Sequence, residues 1–291
     1  MQLKRQSLSA IEAGWRTQWP DVSSAVYGSR LSVICEGDVL AEAVLQQVPD
    51  ETLSVLFTKT VADSRRQGID MILAAACQTV QDLRLRYAYL FLPSDRDPWV
   101  DRCLLDAGFR AIECIEEFRC DGTNLPAISG ANVTFWHGVI DSVEATRPFL
   151  QQVLNDLIAN VITESSDLPQ LPSPSAAQVQ LLWQVLNADV QLTVAIRDHR
   201  PVGLAVLSRS KPSGHSTDEA VIVEYFGIHS DFRRRGIGRD LLRAAFESVR
   251  SKHSGCLTSF VAAQNSAAQG FFRGQGFALH ATQQLWATLE E

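Results

Sequence analysis

The chain repeats itself, and that repeat constrains its architecture more than any single motif. Residues 63–76 (DSRRQGIDMILAAA) align with residues 231–244 (DFRRRGIGRDLLRA) at a constant offset of 168, and seven of these fourteen positions are identical. The same offset, without a gap, carries residues 104–109 (LLDAGF) onto 272–277 (FRGQGF), so that Gly108-Phe109 matches Gly276-Phe277. A register held over more than forty residues predicts two copies of one structural unit. A length of 291 residues suffices for two ordinary domains, and 46% hydrophobic with 20% charged residues describes a globular chain with a sizeable core.

Each copy shows the same order of elements. In the second, QLTVAI, PVGLAVLS and AVIVEYFGIH read as strands from their β-branched and aromatic content, followed by the Arg/Gly loop. Leu241, Leu242, Ala245, Phe246 and Val249 then recur with helical spacing over residues 239–250. CLTSFVAA is a further strand, NSAAQGFFRGQ a second helix and LHATQQLWATL a final strand. The first copy repeats the series from LSVIC to AIECIEEFRC. This order predicts an α+β (mixed α/β) fold of two tandem domains, each a mostly antiparallel twisted sheet flanked by helices. The turn-rich residues 121–132 (DGTNLPAISGAN) place the boundary so that residues 1–125 form one domain and 126–291 the other. Only the second copy carries a long insert, residues 143–190, whose Pro/Ser-rich centre suits a flap over a substrate. Trp136, Trp183 and Trp286 fall at apolar-periodic positions and are expected in the core.

A formal charge of -7 argues against nucleic acid or an anionic membrane as partner, so any anion site must be local. The six cysteines show no C-x-x-C spacing and sit in apolar segments, as buried thiols of a reducing compartment do. The amino-terminal residues lack the apolar core of a signal peptide, and the expectation is a cytoplasmic protein. The histidines are dispersed without ligand spacing, and no metal is expected.

The basic loop RRRGIGR lies between a strand and a helix start. Its glycines remove β-carbons, so that backbone N–H groups can converge on an anion, and the helix adds its own unpaired donors and the positive end of its dipole. Such a loop suits a pyrophosphate; the alternative is a solvated basic turn. It does not stand alone. R-x-x-G-x-G after a strand, followed by N-x-x-A-x-x-F-F-x-x-x-G-F over residues 265–277, resembles the signature of the GNAT acyltransferase superfamily. The resemblance is strong over the last hundred residues or so and, through the repeat, weak over most of the chain. A tandem arrangement with one degenerate half is similar to that of mycothiol synthases in the same superfamily, but no acceptor-specific motif carries over their substrate.

The resemblance implies acyl transfer with acetyl-coenzyme A as co-substrate. It implies that Arg233, Arg234, Arg235, Gly236, Ile237, Gly238 and Arg239 hold the pyrophosphate. Phe226, Gly227 and Ile228 would follow the pantetheine, while Asn265 and Phe272 would stand near its sulfur end. Gly227 within a strand also fits a bulge or a close ligand approach independently of the family. In the first copy Asp70 replaces the second loop glycine and Asp97 replaces the asparagine. A carboxylate there would repel a pyrophosphate, so the first copy is expected to bind coenzyme A poorly or not at all. Arg273 could meet the adenosine phosphate or stand in water.

An alkyl amine must lose a proton before it attacks a thioester. Glu224, the only acid within the apolar strand, is the candidate catalytic base, with an ion-pair role as its alternative and His229 as second choice. Where many relatives place a tyrosine that protonates the departing thiolate, this chain has Phe272. Two hypotheses follow: an N-acetyltransferase acting on a small-molecule amine or a protein N-terminus, in which water suffices for the leaving thiol, and a non-catalytic acyl-coenzyme A sensor or pseudoenzyme. A kinase-type phosphate loop is excluded because no lysine follows the glycines as G-K-[ST]. Oligomeric state is left open.

Overall fold

The computed structural model describes residues 1–7, 28–48, 52–58, 65–122, 125–128, 133–139, 191–210, 220–250 and 256–288. The expected flap at 143–190, with Trp183, lies outside the described residues. Among them, the first copy contributes β1 (Gln2–Ser7), β2 (Gly28–Cys35), β3 (Asp38–Val48), β4 (Thr52–Phe57), α1 (Arg66–Leu83), β5 (Tyr87–Pro93), α2 (Pro98–Asp106) and β6 (Phe109–Asp121). The second contributes β7 (Thr134–Val139), β8 (Gln191–Arg197), β9 (Arg200–Ser210), β10 (Ala220–Ile228), α3 (Ile237–Arg250), β11 (Cys256–Ala262), α4 (Ser266–Gly274) and β12 (Ala278–Thr288). The mixed α/β class expected from the sequence is the one observed, and the edge strand β1, unremarked in the sequence, is added to it.

The described residues fall into two compact units, one holding those up to Cys114 and from Thr282 onward, the other those from Ile115 to Ala281. In the first unit β2, β3 and β4 alternate. Leu31, Val33, Ala41, Ala43, Leu45, Leu53 and Val55 turn inward against Ile69, Ile72, Leu73 and Ala76 of α1. A tight turn at Glu36 and Gly37, both with positive φ, sets the β2–β3 register, since two left-handed residues match the twist of the paired strands. Neighbouring strands run antiparallel except β4 and β5, which pair in parallel over Thr52–Ser54 and Tyr87–Tyr89.

In the second unit β7, β8, β9 and β10 form an antiparallel series, β10 and β11 are parallel, and β11 is antiparallel to β6. The apolar stripe of α3, Ile237, Leu241, Leu242, Ala245, Phe246 and Val249, is buried in that unit's core. Full burial of each large side chain contributes on the order of 1.5–3 kcal/mol. The stripe therefore fixes where the helix begins and how the loop before it is held.

The units do not follow a single cut in the chain. Residues Gln283–Ala287 of β12 pair with Ala287's neighbour strand β5, over Pro93–Tyr89, and so complete the first unit. Trp286 is 4% exposed within the first core, its ring 5.2 Å from the Arg96 guanidinium, and Thr288 Oγ1 accepts a hydrogen bond of 2.9 Å from the Ala88 amide. Reciprocally, Ile115–Asp121 of β6 pair with β11, placing Phe118 and Cys120 in the second core. A cut after residue 125 therefore assigns β6 and the end of β12 differently from the compact units. Trp286 is a core residue as expected, whereas Trp136 is only half-buried on β7 and belongs to neither core. All six cysteines are free. Cys103 and Cys120 are buried, and burial pushes their thiols up to about 11 and about 12.

Trp286→Ala is expected to destabilise the first unit by about 3–5 kcal/mol, the usual range for emptying a large aromatic site. Hydrogen exchange should show lost protection at β5 amides while α3 amides keep theirs.

Candidate functional site

Strand β10 runs beside β9 along its whole length but beside β11 only over Ala220–Val223, opposite Cys256–Ser259. At the same place the β9 register shifts between Val223 and Tyr225, which makes Glu224 the extra residue of a bulge. Alternation is reversed across it. Val221 and Val223 face the core before the shift, Phe226 and Ile228 pack against that core after it, and Glu224 and Tyr225 come out together on the other face.

The Ser208 hydroxyl of β9 donates a hydrogen bond to Glu224 Oε1. Glu224 reaches solvent, yet the protein around its carboxyl desolvates it and raises its pKa, an effect the Ser208 hydrogen bond opposes. The partner is a hydroxyl rather than the cation that an ion-pair role would require. Gly227 lies under the Tyr225 ring: a β-carbon there would stand 2.9 Å from Oη and 3.2 Å from a ring carbon, so a side chain at this position would displace the ring.

Beyond Ile228 the chain makes a short 3-10 turn, Ser230–Phe232, capped by His229, whose Nδ1 accepts from the Asp231 amide at 3.3 Å. His229, the second choice for a base, thus has one ring nitrogen engaged in a turn. The Arg233 side chain folds back, its Nε donating to the Ile228 carbonyl at 2.9 Å. Arg234 (φ 60°) and Gly236 (φ 80°) are both left-handed, so the backbone curls before entering α3. The first hydrogen bond of that helix runs from the Asp240 amide to the Gly236 carbonyl, 3.1 Å. Among the described residues, the amides of Arg234, Arg235, Gly236, Ile237, Gly238 and Arg239 donate to no main-chain carbonyl. Six consecutive donors are concentrated at the positive end of a fourteen-residue helix.

The side chains around them divide the work. Arg234 and Arg235 are exposed, and Arg235 lies 5.7 Å from the Phe232 ring. Arg239 Nε is 3.4 Å from Oδ1 of the fully buried Asp240. Ile237 is fully buried and anchors the helix start. A β-carbon on Gly238 would be 3.2 Å from Phe271 Cε2, so this glycine lets the helix start lie close to the aromatic cluster.

Asn265 caps α4, its Oδ1 accepting from the Ala268 amide at 2.9 Å. Phe272, placed by the family pattern near the sulfur end of a cofactor, is 4% exposed inside the second core, with Phe277 and Phe271 at ring separations of 5.0 and 5.3 Å. Phe226 completes the cluster, stacked on Phe271 at 5.0 Å. Phe272 packs; it does not present a surface. Arg273 remains about half exposed, with its Nη2 3.6 Å from Glu116 Oε2 and its Cζ 5.2 Å from the Phe118 ring. Sequence reasoning passed over Tyr225 and Ser208, because a tyrosine in an apolar strand and a serine at its neighbour's end read as ordinary strand residues.

Among the described residues, the first copy lacks this open loop and bulge. There α1 begins at Arg66, so the residues matching the open loop are wound into the helix, and Arg66 pairs with Asp70 at 3.9 Å and Asp106 at 3.4 Å. Gly68 packs: a β-carbon on it would meet Ala41 Cβ at 2.8 Å. Strand β4 has no register shift, and Leu56, 58% exposed, stands where Glu224 does in the second copy.

Residues 158–277 match the sequence model of the acetyltransferase (GNAT) family. No curated protein sequence matches the chain. Among solved structures, a tandem GNAT protein from the clavulanic acid biosynthesis pathway is 15% identical, with 98% of each chain covered and a TM-score of 0.66. A GCN5-related N-acetyltransferase from Sphaerobacter thermophilus is 14% identical over 98% of this chain and 95% of that one, with a TM-score of 0.63. One from Kribbella flavida is 15% identical over 86% and 88%, with a TM-score of 0.59. At these identities the solved structures speak for the fold alone. The segment that holds the open Arg/Gly loop and the bulged strand is thus the one that is similar to the acetyltransferase (GNAT) family.

Proposed function

We propose that the second copy transfers an acetyl or other acyl group from coenzyme A to an amine, and that the first copy, residues 1–125 in the repeat, is a degenerate partner without a donor site. The observation that carries this reading is the run of six amides, Arg234 to Arg239, without main-chain acceptors among the described residues at the start of α3. A pyrophosphate supplies the acceptors such a run lacks, and Arg234 and Arg235 add charge at its edge. Pantetheine would then follow Phe226, Gly227 and Ile228 along the part of β10 that β11 leaves unpaired.

In the transfer, the amine nitrogen bonds to the thioester carbon, the carbon–sulfur bond breaks, and the electron pair leaves with sulfur. The amine proton goes to Glu224, directly or through one water. Crowding that raises the Glu224 pKa makes it a better proton acceptor than an ordinary carboxylate. The leaving thiol has an ordinary pKa of about 8.5, low enough to depart with water as proton source. The acceptor is a small-molecule amine or a protein N-terminus. Phe272 favours a second reading, an acyl-coenzyme A sensor, because a buried phenyl ring has no proton to give.

Release of free coenzyme A thiol in the presence of an amine panel separates the two: acceptor-dependent release is expected, and binding without release would leave the sensor. Glu224→Gln should lower kcat/KM by about 10²–10⁴-fold with acetyl-coenzyme A affinity nearly unchanged. Gly238→Asp, which puts a carboxylate among the amides and a side chain against Phe271, should abolish the heat of acetyl-coenzyme A binding in calorimetry.

The raised pKa has a sign in stability as well. Folding favours protonated Glu224, so this contribution is fully present below the ordinary value of 4.5 and is lost as pH rises through the higher folded value. Glu224→Gln should therefore melt above the parent near pH 7, and that advantage should vanish below about pH 4.

A further inference from the structure

The chemistry above makes no use of Tyr225, and its phenol is the unexplained polar group of the site. The register shift brings it out beside Glu224, and its ring lies along the strand over Gly227. Oη is buried and has no hydrogen-bond partner among the described residues. Burial drives the phenol up to about 12, against the nearby positive charge of Arg233, so it stays protonated and able to donate throughout the neutral range.

A buried hydroxyl without a partner is costly, and phenylalanine would remove the cost at nearly the same volume. The chain shows that alternative: at the offset of 168, Tyr225 corresponds to Phe57 of the first copy. Glu224 corresponds there to Leu56, and Gly227 to Lys59. The phenol therefore occurs with the carboxylate, the ring-accommodating glycine and the open loop, and is absent from the copy that has none of them. Its position also selects the end of the ligand it would meet. Tyr225 stands at the bulge, where β11 ceases to pair, while the open loop follows only after Ile228 and the 3-10 turn.

We propose that Tyr225 Oη donates a hydrogen bond to the thioester end of bound acyl-coenzyme A, a claim that rests on the donor-site reading above. The hydroxyl is held unpaired in the unliganded protein and finds its acceptor in the ligand. No proton is transferred in this contact.

Calorimetric titration of the full chain and of Tyr225→Phe tests it, with two probes: acetyl-coenzyme A, and adenosine 3′-phosphate 5′-diphosphate, which has the nucleotide end alone. The variant should bind acetyl-coenzyme A about two- to tenfold more weakly, the loss of one hydrogen bond, and bind the nucleotide as the parent does. Without ligand it should melt no lower than the parent, since the hydroxyl has no protein partner to lose. Equal acetyl-coenzyme A affinity, equal weakening of both probes, or a lower melting point without ligand would each overturn the proposal. Failure of the parent itself to bind acetyl-coenzyme A would instead overturn the donor-site reading, and this one with it.

Discussion

The extra residue at Glu224 is the constraint on which the site depends. In a strand with unbroken alternation, residues 221, 223, 225 and 227 would face the core, and the tyrosine and glycine would be buried beneath α3. The shift reverses the order, so that Phe226 and Ile228 take over the core contacts of Val221 and Val223. Core packing is thus preserved through the irregularity while two polar side chains are delivered together to the opposite face. The same step coincides with the end of parallel pairing to β11, so the main chain beyond it is released from that neighbour. One inserted residue accounts for the exposed acid, the adjacent phenol and the unpaired strand edge.

The two copies form an internal control for the loop. Both carry Arg-Arg-x-Gly-Ile at matching positions, and both glycines sit at the start of a long helix. In the first copy the arginine after the N-cap is helical, and the glycine serves to let α1 approach β3 at Ala41. In the second copy the corresponding arginine and glycine are left-handed, which delays the helix and leaves the amides without main-chain acceptors among the described residues. Asp70 fits this difference: four residues after Arg66, it pairs with that arginine along the helix and supports the wound form. Gly238, in its place, offers no such partner. Independently of the charge on Asp70, the winding of α1 from Arg66 leaves no open loop at the positions matching Arg234 to Arg239.

Much of this was legible in residue order. Alternation and helical spacing located nearly every element, the repeat fixed their correspondence, and Glu224 stood out because a lone acid in an apolar strand needs a reason. The bulge was foreshadowed only by Gly227, three residues from where it occurs, since a register shift is a property of two strands and not of one. The assignment of β6 and the end of β12 could not be read at all. CIEEFRC and TQQLWAT alternate as well for one sheet as for the other, and only the partner strand decides. The burial of Phe272 is likewise not legible in a family position, which says where a residue stands in the pattern and not that its ring packs into the core.

The aromatic cluster explains how so polar a loop keeps its shape. Gly238 lies against Phe271, Phe271 stacks on Phe226, and Phe226 is the residue that regains the core immediately after the bulge. Phe272 of α4, whose start is fixed by the Asn265 cap, and Phe277 just before β12 close the cluster. Contact therefore runs from the helix start, through the two stacked rings of Phe271 and Phe226, to the strand segment that follows Glu224 and Tyr225. Close-packed aromatic contacts tolerate little displacement. The donors that follow β10 and the carboxylate at its middle are consequently held in place by the core beneath them, which is what a ligand spanning both would require.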